Sequence, residues 1–220
     1  MDFRRCRDHN EWAGTFDRFV SVEMIENVGR EFIEEFWSVA DWALKPCEAI
    51  GVVQVITMPE APLIVCIVLQ VSQLMTTLAR ISYRSGVRIL TIILKEAYML
   101  TSTAVFPGGY IPSFCFLIET MNRATSGRLT VDSVANIGPH YARTLREWKR
   151  RFLSNWTDTV APALVDKYSL DEASLEVFRR KWIYYFDYCE AGFVTRRLGD
   201  HVITFTREGN VDFGCDFRAE

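Results

Sequence analysis

The sequence predicts an α/β fold in which a parallel sheet is covered by helices on both faces. Residues 16–22 and 50–57 are short runs rich in β-branched and aromatic side chains, as buried strands are. Between them, apolar residues recur every three or four positions, which predicts a helix. A strand, a helix and a strand within about forty residues form a βαβ unit, and such units build parallel sheets.

The helix between the two strands is expected to begin near Arg30 and to end before Pro46, because proline cannot continue a helix. The second strand is closed by Pro59. The apolar positions of this helix are Phe32, Ile33, Phe36, Trp37, Ala40 and Leu44. Since they fall on one face, we expect that face to pack on the sheet.

Further elements are predicted downstream. Ser113 is a candidate cap for a helix that runs to about Ala124. Apolar patterns predict a strand at 129–137, a helix after Gly138 and Pro139, and another helix at about 171–191. The last strand, 201–206, is expected to pair antiparallel with 129–137.

Composition limits the class of protein. Among 220 residues, 49% are hydrophobic and 24% are charged, which indicates a globular chain. The formal net charge of −3 argues against a general nucleic-acid binder. The six cysteines form no CxxC pair and there are only three histidines, so we expect free thiols and no metal. The opening MDFRRCRDHNEW lacks the basic-then-apolar pattern of a signal peptide.

Residues 61–105 differ in character from the rest. They begin with the strongly apolar run APLIVCIVLQVSQLMTTL and continue through three arginines at four-residue spacing. A membrane span is one interpretation, although Gln70 and Gln73 make it a poor one. An extra buried or surface helix, or sequence foreign to the fold, are the alternatives.

The first predicted strand ends in two carboxylates, Glu23 and Glu26, within SVEMIENVG. In parallel α/β sheets, ligands bind outside the carboxyl ends of the strands. An acidic side chain at this position can therefore belong to a ligand-binding site. The alternative is a solvated acid near a helix start, where the helix dipole favours negative charge.

Several motifs in one order resemble the cyclopropane-fatty-acyl-phospholipid synthase (mycolic acid cyclopropane synthase) family of S-adenosylmethionine-dependent methyltransferases. These motifs are SVEMIENVG, VVQVITMPE, FPGGYIPS, NIGPHYARTLREWKRRF and YYFDYCEAGF. The resemblance implies the C-terminal portion of a Rossmann-like class I methyltransferase sheet that lacks the first strands. It implies one partial domain over 1–220, with a central strand–helix–strand at 1–60, an atypical apolar insertion at 61–105, and lipid-side helices and closing strands at 106–220.

The resemblance also implies a reaction. A methyl group passes from S-adenosylmethionine to the double bond of an unsaturated phospholipid acyl chain, giving a cyclopropane or methylated fatty acid, with bound bicarbonate as the base. By resemblance, the bicarbonate is held by Glu26, Gln54, the main chain of Ile56 and Tyr141. Gln54 stands where some members have histidine, and its amide can still donate to an anion.

The same resemblance assigns cofactor contacts and a further candidate. Ser21, Val22 and Glu23 would contact the cofactor, with the backbone of Glu23 mattering more than its side chain. Glu26, Tyr141 and Cys189 are the catalytic candidates. For Cys189 the alternative is packing, since a cysteine on the apolar stripe of a helix usually fills space.

The glycine-rich turn of the cofactor site is expected upstream of Met1, so a chain without it is expected to lack a complete cofactor site. Two alternatives stay open: a small-molecule N-methyltransferase of the coclaurine type, and a non-catalytic family remnant.

The expected partner is unsaturated phospholipid at a membrane surface, without nucleic acid and with the oligomeric state left open. The expected location is cytoplasmic, with peripheral contact to the membrane. The basic residues at 143–151 are either a solvated face or a phospholipid headgroup contact.

Overall fold

The computed structural model describes residues 3–60, 109–211 and 213–214. The chain divides into two compact units: the first comprises Met1–Ala135 with His201–Glu220, and the second comprises Asn136–Asp200. The segment 61–105, predicted as an insertion, lies outside the described residues, and its alternatives stay predictions. None of the helices in the described residues has the length and the hydropathy that a membrane-spanning segment needs.

A four-stranded mixed sheet confirms the predicted α/β class. Its strands are β1 (Arg18–Val22), β2 (Ile50–Thr57), β3 (Leu129–Asn136) and β4 (Gly199–Arg207), in the order β1-β2-β4-β3. β1 and β2 are parallel, as the βαβ prediction requires. The N–H of Arg207, at the end of β4, donates to Ala49, just before β2, and the N–H of Glu208 donates to Arg128, just before β3. β4 therefore runs antiparallel to both neighbours, as predicted for 201–206 and 129–137.

Five α-helices accompany the sheet in the described residues. They are α1 (Ile33–Ala43), α2 (Phe114–Thr125), α3 (Gly138–Ser154), α4 (Ala161–Tyr168) and α5 (Glu172–Val194). Short 3₁₀ turns span Phe3–Asp8, Asn10–Trp12, Ile25–Asn27 and Arg30–Phe32, and a π-helical turn spans Trp156–Val160. Ser113 caps α2 as predicted, since its hydroxyl accepts from the N–H of Phe116 at 3.2 Å. The π turn and α4 were not predicted.

The core of the first unit lies between the sheet and α1, which packs on α2. Ile33, Phe36 and Trp37 of α1 are buried, which confirms the predicted apolar face. The Trp37 ring meets the Phe205 ring of β4 edge to face, with centroids 5.7 Å apart. A Cβ on Gly51 would lie 2.1 Å from the Phe205 ring, so only glycine fits there.

The C-terminal end of α1 is held by the buried guanidinium of Arg207. This group donates to the main-chain oxygens of Asp41 at 2.6 Å, Leu44 at 2.9 Å and Lys45 at 2.8 Å. It also pairs with the Asp41 carboxylate, which Arg128 contacts as well. Carbonyls at a helix end lack partners within the helix, so this one side chain satisfies them and joins α1 to β4.

The prediction that the first strand is buried was wrong. β1 is an edge strand of the described sheet, and Val20 and Val22 are 72% and 59% exposed. Only Ser21 is buried within it. The apolar pattern is typical of a strand buried in the middle of a sheet. Among the described residues, however, β1 has a strand neighbour, β2, along one edge only.

The second unit is helical, and α3 packs along α5 through aromatic rings. Phe152 of α3 meets Trp182 and Phe186 of α5 at centroid distances of 6.5 and 5.8 Å. Ion pairs join the same helices: Arg146 with Glu190 at 2.6 Å, and Lys149 with Asp187 at 2.7 Å.

Candidate functional site

The carboxyl ends of two adjacent parallel strands form the centre of the candidate site. Val22, the last residue of β1, lies opposite Gln54 of β2. Glu23 follows with a φ of 48°, in the left-handed region that non-glycine residues rarely adopt. Its N–H donates to the Gln54 carbonyl at 3.0 Å, which continues the strand pairing by one residue. The backbone therefore turns sharply where β1 ends, and the Glu23 backbone makes that turn.

Glu26 lies in the 3₁₀ turn directly after this point and is buried. Its carboxylate Oε1 accepts from the N–H of Ile56 at 2.6 Å. Its main-chain oxygen accepts from the N–H of Tyr110 at 2.8 Å. A hydrogen bond to a carboxylate is stronger than a neutral one, so Glu26 is firmly held against the end of β2. The structure thus brings together Glu26 and Ile56, two of the predicted site residues.

The end of the FPGGYIPS motif closes one side of this arrangement. The N–H of Met58, just after β2, donates to the Pro112 carbonyl at 3.0 Å. The Arg30 guanidinium lies over the Tyr110 ring, 5.8 Å from its centroid. The loop is therefore tied to the ends of both parallel strands, next to Glu26.

Ser21, Val22 and Glu23, the predicted cofactor residues, stand at the end of β1. The Ser21 hydroxyl is buried and has no hydrogen-bond partner in the described structure. It borders a groove of about 320 Å³ whose other walls are mostly apolar, formed by residues such as Phe16, Phe19 and Leu44. A buried hydroxyl without a partner is costly in a folded protein. Ser21 is therefore suited to hydrogen-bond a ligand that reaches this strand end.

Thr57 and His201 are additional polar residues at the same sheet edge that the sequence did not indicate. Thr57 Oγ1 and His201 Nδ1 are 2.7 Å apart, across the ends of β2 and β4. The Phe114 ring packs on the imidazole with centroids 5.2 Å apart. Burial lowers the pKa of His201, which favours the neutral ring. Nothing in HVITFT indicates this pair, because it depends on two strands distant in sequence.

Tyr141 belongs to the second unit, on the first turn of α3. Its ring packs on Phe193 of α5 at a centroid distance of 4.9 Å. The helix start is fixed by Gly138, whose N–H donates to Asn136 Oδ1 at 3.0 Å. A Cβ on Gly138 would lie 3.0 Å from the N of Asp200, which is tighter than most Cβ contacts, so a side chain there would force its neighbours to shift. The GPHY motif therefore positions Tyr141, and its contact with bicarbonate stays a prediction.

Cys189 also lies in the second unit, on α5. Burial raises the pKa of its thiol to about 11, although a hydrogen bond with Tyr185 acts in the opposite direction. A thiol with this pKa is protonated at neutral pH and is a poor nucleophile. The packing interpretation of Cys189 is therefore the one that its surroundings favour.

The CEAGF motif around Cys189 has a structural explanation. Glu190 pairs with Arg146, and a Cβ on Gly192 would lie 2.8 Å from Leu198. Phe193 supports the Tyr141 ring. These residues hold α5 against α3 and against the loop that follows α5. Sequence reasoning did not foresee this supporting role.

Comparison with known proteins agrees with this arrangement. A sequence model described as mycolic acid cyclopropane synthetase matches residues 4–201. The chain belongs to this family. Tuberculostearic acid methyltransferase UfaA1 of Mycobacterium tuberculosis is 31% identical over 202 residues, which are 92% of this chain and 38% of that protein. The cyclopropane-fatty-acyl-phospholipid synthase of Escherichia coli K12 is 25% identical over 201 residues, 91% of this chain and 40% of that one.

Solved structures agree on the fold of this cyclopropane synthetase family member. The cyclopropane synthase MmaA2 from Mycobacterium tuberculosis superposes with a TM-score of 0.61 at 20% identity, covering 89% of this chain and 57% of that one. Coclaurine N-methyltransferase superposes with a TM-score of 0.56 at 15% identity, covering 88% and 49%. These likenesses establish the class I methyltransferase fold. The chain spans about two fifths of the length of the two curated relatives named above.

Proposed function

We propose that this protein takes part in methyl transfer from S-adenosylmethionine to the double bond of an unsaturated phospholipid acyl chain, giving a cyclopropane or methylated fatty acid. The observation that carries the proposal is the buried Glu26 carboxylate, held 2.6 Å from the Ile56 N–H at the carboxyl ends of two parallel strands. Family membership supplies the reaction class. Relatives named for a fatty-acyl phospholipid and for tuberculostearic acid support a lipid acceptor.

The residues present fit one end of a cofactor site. The Ser21 hydroxyl is buried without a hydrogen-bond partner in the described structure, and the Glu23 backbone turns away at the strand end. Ser21, Val22 and Glu23 would therefore hold S-adenosylmethionine, and the methyl group is what this cofactor supplies when bound.

The donor set near Glu26 fits bicarbonate, the proposed base. A carboxylate repels most anions, but bicarbonate carries a hydroxyl that can donate to Glu26. The Ile56 N–H donates to Glu26 in this structure, and it would be shared between Glu26 and an oxygen of the anion when bicarbonate binds. Hydrogen bonds to bicarbonate are stronger at a buried site than in water, because the local dielectric constant is lower. Glu26 and Ile56 would position the base, and Gln54 would add a donor. Tyr141 is a donor candidate by family resemblance alone.

Isothermal calorimetry with S-adenosylmethionine is the first test. We expect weak but saturable binding, because the described residues form only one end of the cofactor site, and we expect Ser21→Ala to weaken it further. An absence of binding at millimolar ligand would exclude catalysis by this chain and favour the non-catalytic alternative. The thermal unfolding of Ser21→Ala, compared with that of Ser126→Ala outside the site, shows whether the variant is folded.

The second test supplies cofactor labelled in its methyl group together with phospholipid vesicles. We expect label in lipids with unsaturated acyl chains and none in lipids with saturated chains. Glu26→Gln and Tyr141→Phe are expected to lower turnover by about 10² or more while cofactor binding changes little, as for groups that position a base. A parallel reaction contains a small amine of the coclaurine type in place of the vesicles. Label in that amine, with none in lipid, would overturn the choice of acceptor.

A further inference from the structure

One side of α5 carries a continuous row of exposed side chains. Val177, Lys181, Tyr184 and Tyr188 follow one another at spacings of four, three and four residues, so they lie on one stripe of the helix. Val177, Tyr184 and Tyr188 are 52%, 46% and 40% exposed, and Lys181 is exposed as well. Exposed Arg180 lies beside this row. We call these five residues the tyrosine–lysine stripe.

The opposite side of α5 is already occupied. Phe178, Trp182 and Phe186 face the aromatic cluster around Phe152 and Trp156. The two tyrosines of the stripe stack on each other instead, with ring centroids 6.1 Å apart and planes 19° from parallel. The stripe is therefore a second apolar and aromatic surface of α5, separate from the one that packs on α3.

Charge on this surface is positive. Glu176, next to the stripe, pairs with Arg179 at 3.4 Å, and Asp187 pairs with Lys149 at 2.7 Å. Arg180 and Lys181 form no ion pair within the described residues. The acids near the stripe are thus neutralised while its two cations are not.

We propose that the tyrosine–lysine stripe is the surface through which the second unit binds an anionic phospholipid bilayer. Tyrosine suits the headgroup level of a membrane, because its ring is apolar and its hydroxyl is polar. Lysine and arginine there attract anionic headgroups, and their long aliphatic stems reach past apolar neighbours. The arrangement is that of a helix lying in the plane of the interface.

Charge also argues against a second copy of the chain as the occupant. In a two-fold dimer the same patch meets itself, so one positively charged stripe would lie against another. The proposal rests on a lipid acceptor as the substrate, but it concerns attachment and can be tested without any reaction.

Co-sedimentation with vesicles tests the stripe. The test uses vesicles of dimyristoyl phosphatidylcholine, alone or mixed with dimyristoyl phosphatidylglycerol. Their acyl chains contain no carbon–carbon double bond, and no cofactor is added, so binding is measured without methyl transfer. We expect binding to the mixed vesicles, weaker binding to the neutral ones, and loss of the difference at high salt. If the protein does not bind the mixed vesicles, the stripe proposal is wrong, and this result says nothing against the proposed reaction.

Matched variants locate the effect. Arg180→Glu with Lys181→Glu is expected to lower partitioning to anionic vesicles by about tenfold or more. Arg143→Glu with Arg151→Glu makes the same change of charge on exposed residues of α3 and is expected to have the smaller effect. Equal losses for both pairs would contradict the proposal, since net charge and not the stripe would then govern binding.

Tyr184→Ala with Tyr188→Ala tests the aromatic part. We expect weaker partitioning with an unchanged circular dichroism spectrum, because both side chains are exposed. If this variant instead abolished a dimer seen by analytical ultracentrifugation and left vesicle binding unchanged, the stripe would be a contact between copies and the proposal would be wrong.

Discussion

The carboxylate of Glu26 accepts a hydrogen bond from the main-chain N–H of Ile56 across 2.6 Å, and this bond joins the turn after β1 to the end of β2. The bond predicts a clear difference between two variants. Glu26→Ala leaves the Ile56 N–H without this partner and should lower the free energy of unfolding by about 1–3 kcal/mol. Glu26→Gln keeps an acceptor oxygen and should lower it by less than about 1 kcal/mol. Urea titration followed by circular dichroism measures both, and equal losses would show that the bond contributes little.

Glu23 adopts a φ of 48°, which strains any residue that carries a Cβ. Glu23→Gly should therefore raise the free energy of unfolding, by up to about 1 kcal/mol. Glu48 is exposed and is not among the residues with positive φ, so Glu48→Gly should lower stability by a few tenths to about 1 kcal/mol. Thermal unfolding of both variants gives the comparison. A Glu23→Gly variant less stable than the parent would mean that the side chain, and not the backbone turn, matters at this position.

Much of the first unit could be predicted because its pattern is local. The period of α1, its stop before Pro46 and the cap at Ser113 all depend on residues a few positions apart. The antiparallel pairing of β4 was also predicted, since 201–206 and 129–137 both have the pattern of strands. The exposure of β1 could not be predicted from its apolar pattern alone, because that pattern records how a strand is covered and not what covers it.

The candidate site was predictable only in part. Glu26 stood out as an acid at a strand end, and the structure places it there beside Ile56. The Thr57–His201 pair and the support of Tyr141 by Phe193 were missed, because these contacts join residues 144 positions apart in the first case and lie across two helices in the second. Such contacts depend on tertiary packing, which a single sequence does not display.

The exposed edge of β1 predicts self-association of the isolated chain. Val20 is 72% exposed on a strand with no described neighbour on its outer side, and such edges pair with other chains. Val20→Lys should reduce concentration-dependent association in light scattering. Val211→Lys changes an equally apolar, 55% exposed residue outside the strands and should have little effect. The same reduction for both variants would point to general charge and not to the strand edge.

The thiol of Cys189 should react slowly with alkylating reagents. Burial raises its pKa to about 11, so its thiolate fraction at pH 8 should be roughly a hundredfold below that of an ordinary cysteine. Peptide mass spectrometry during iodoacetamide labelling should find exposed Cys47 modified first and Cys189 far later. Cys189→Ala should leave methyl transfer within about twofold if the thiol only packs against its neighbours. Rapid labelling of Cys189, with lost turnover in Cys189→Ala, would restore its catalytic candidacy.

His201 should make stability depend on pH. Burial lowers its pKa in the folded chain, whereas the unfolded chain has the ordinary value near 6.5. Below that value the unfolded state binds more protons than the folded state, so the free energy of unfolding falls as the pH is lowered from about 7.5 to about 5.5. His201→Gln should flatten this dependence, while His140→Gln, on the exposed start of α3, should leave it in place. Urea titrations at several pH values measure the slope. A full slope in His201→Gln would assign the dependence to another group, since the neutral imidazole beside Thr57 would then contribute nothing to it.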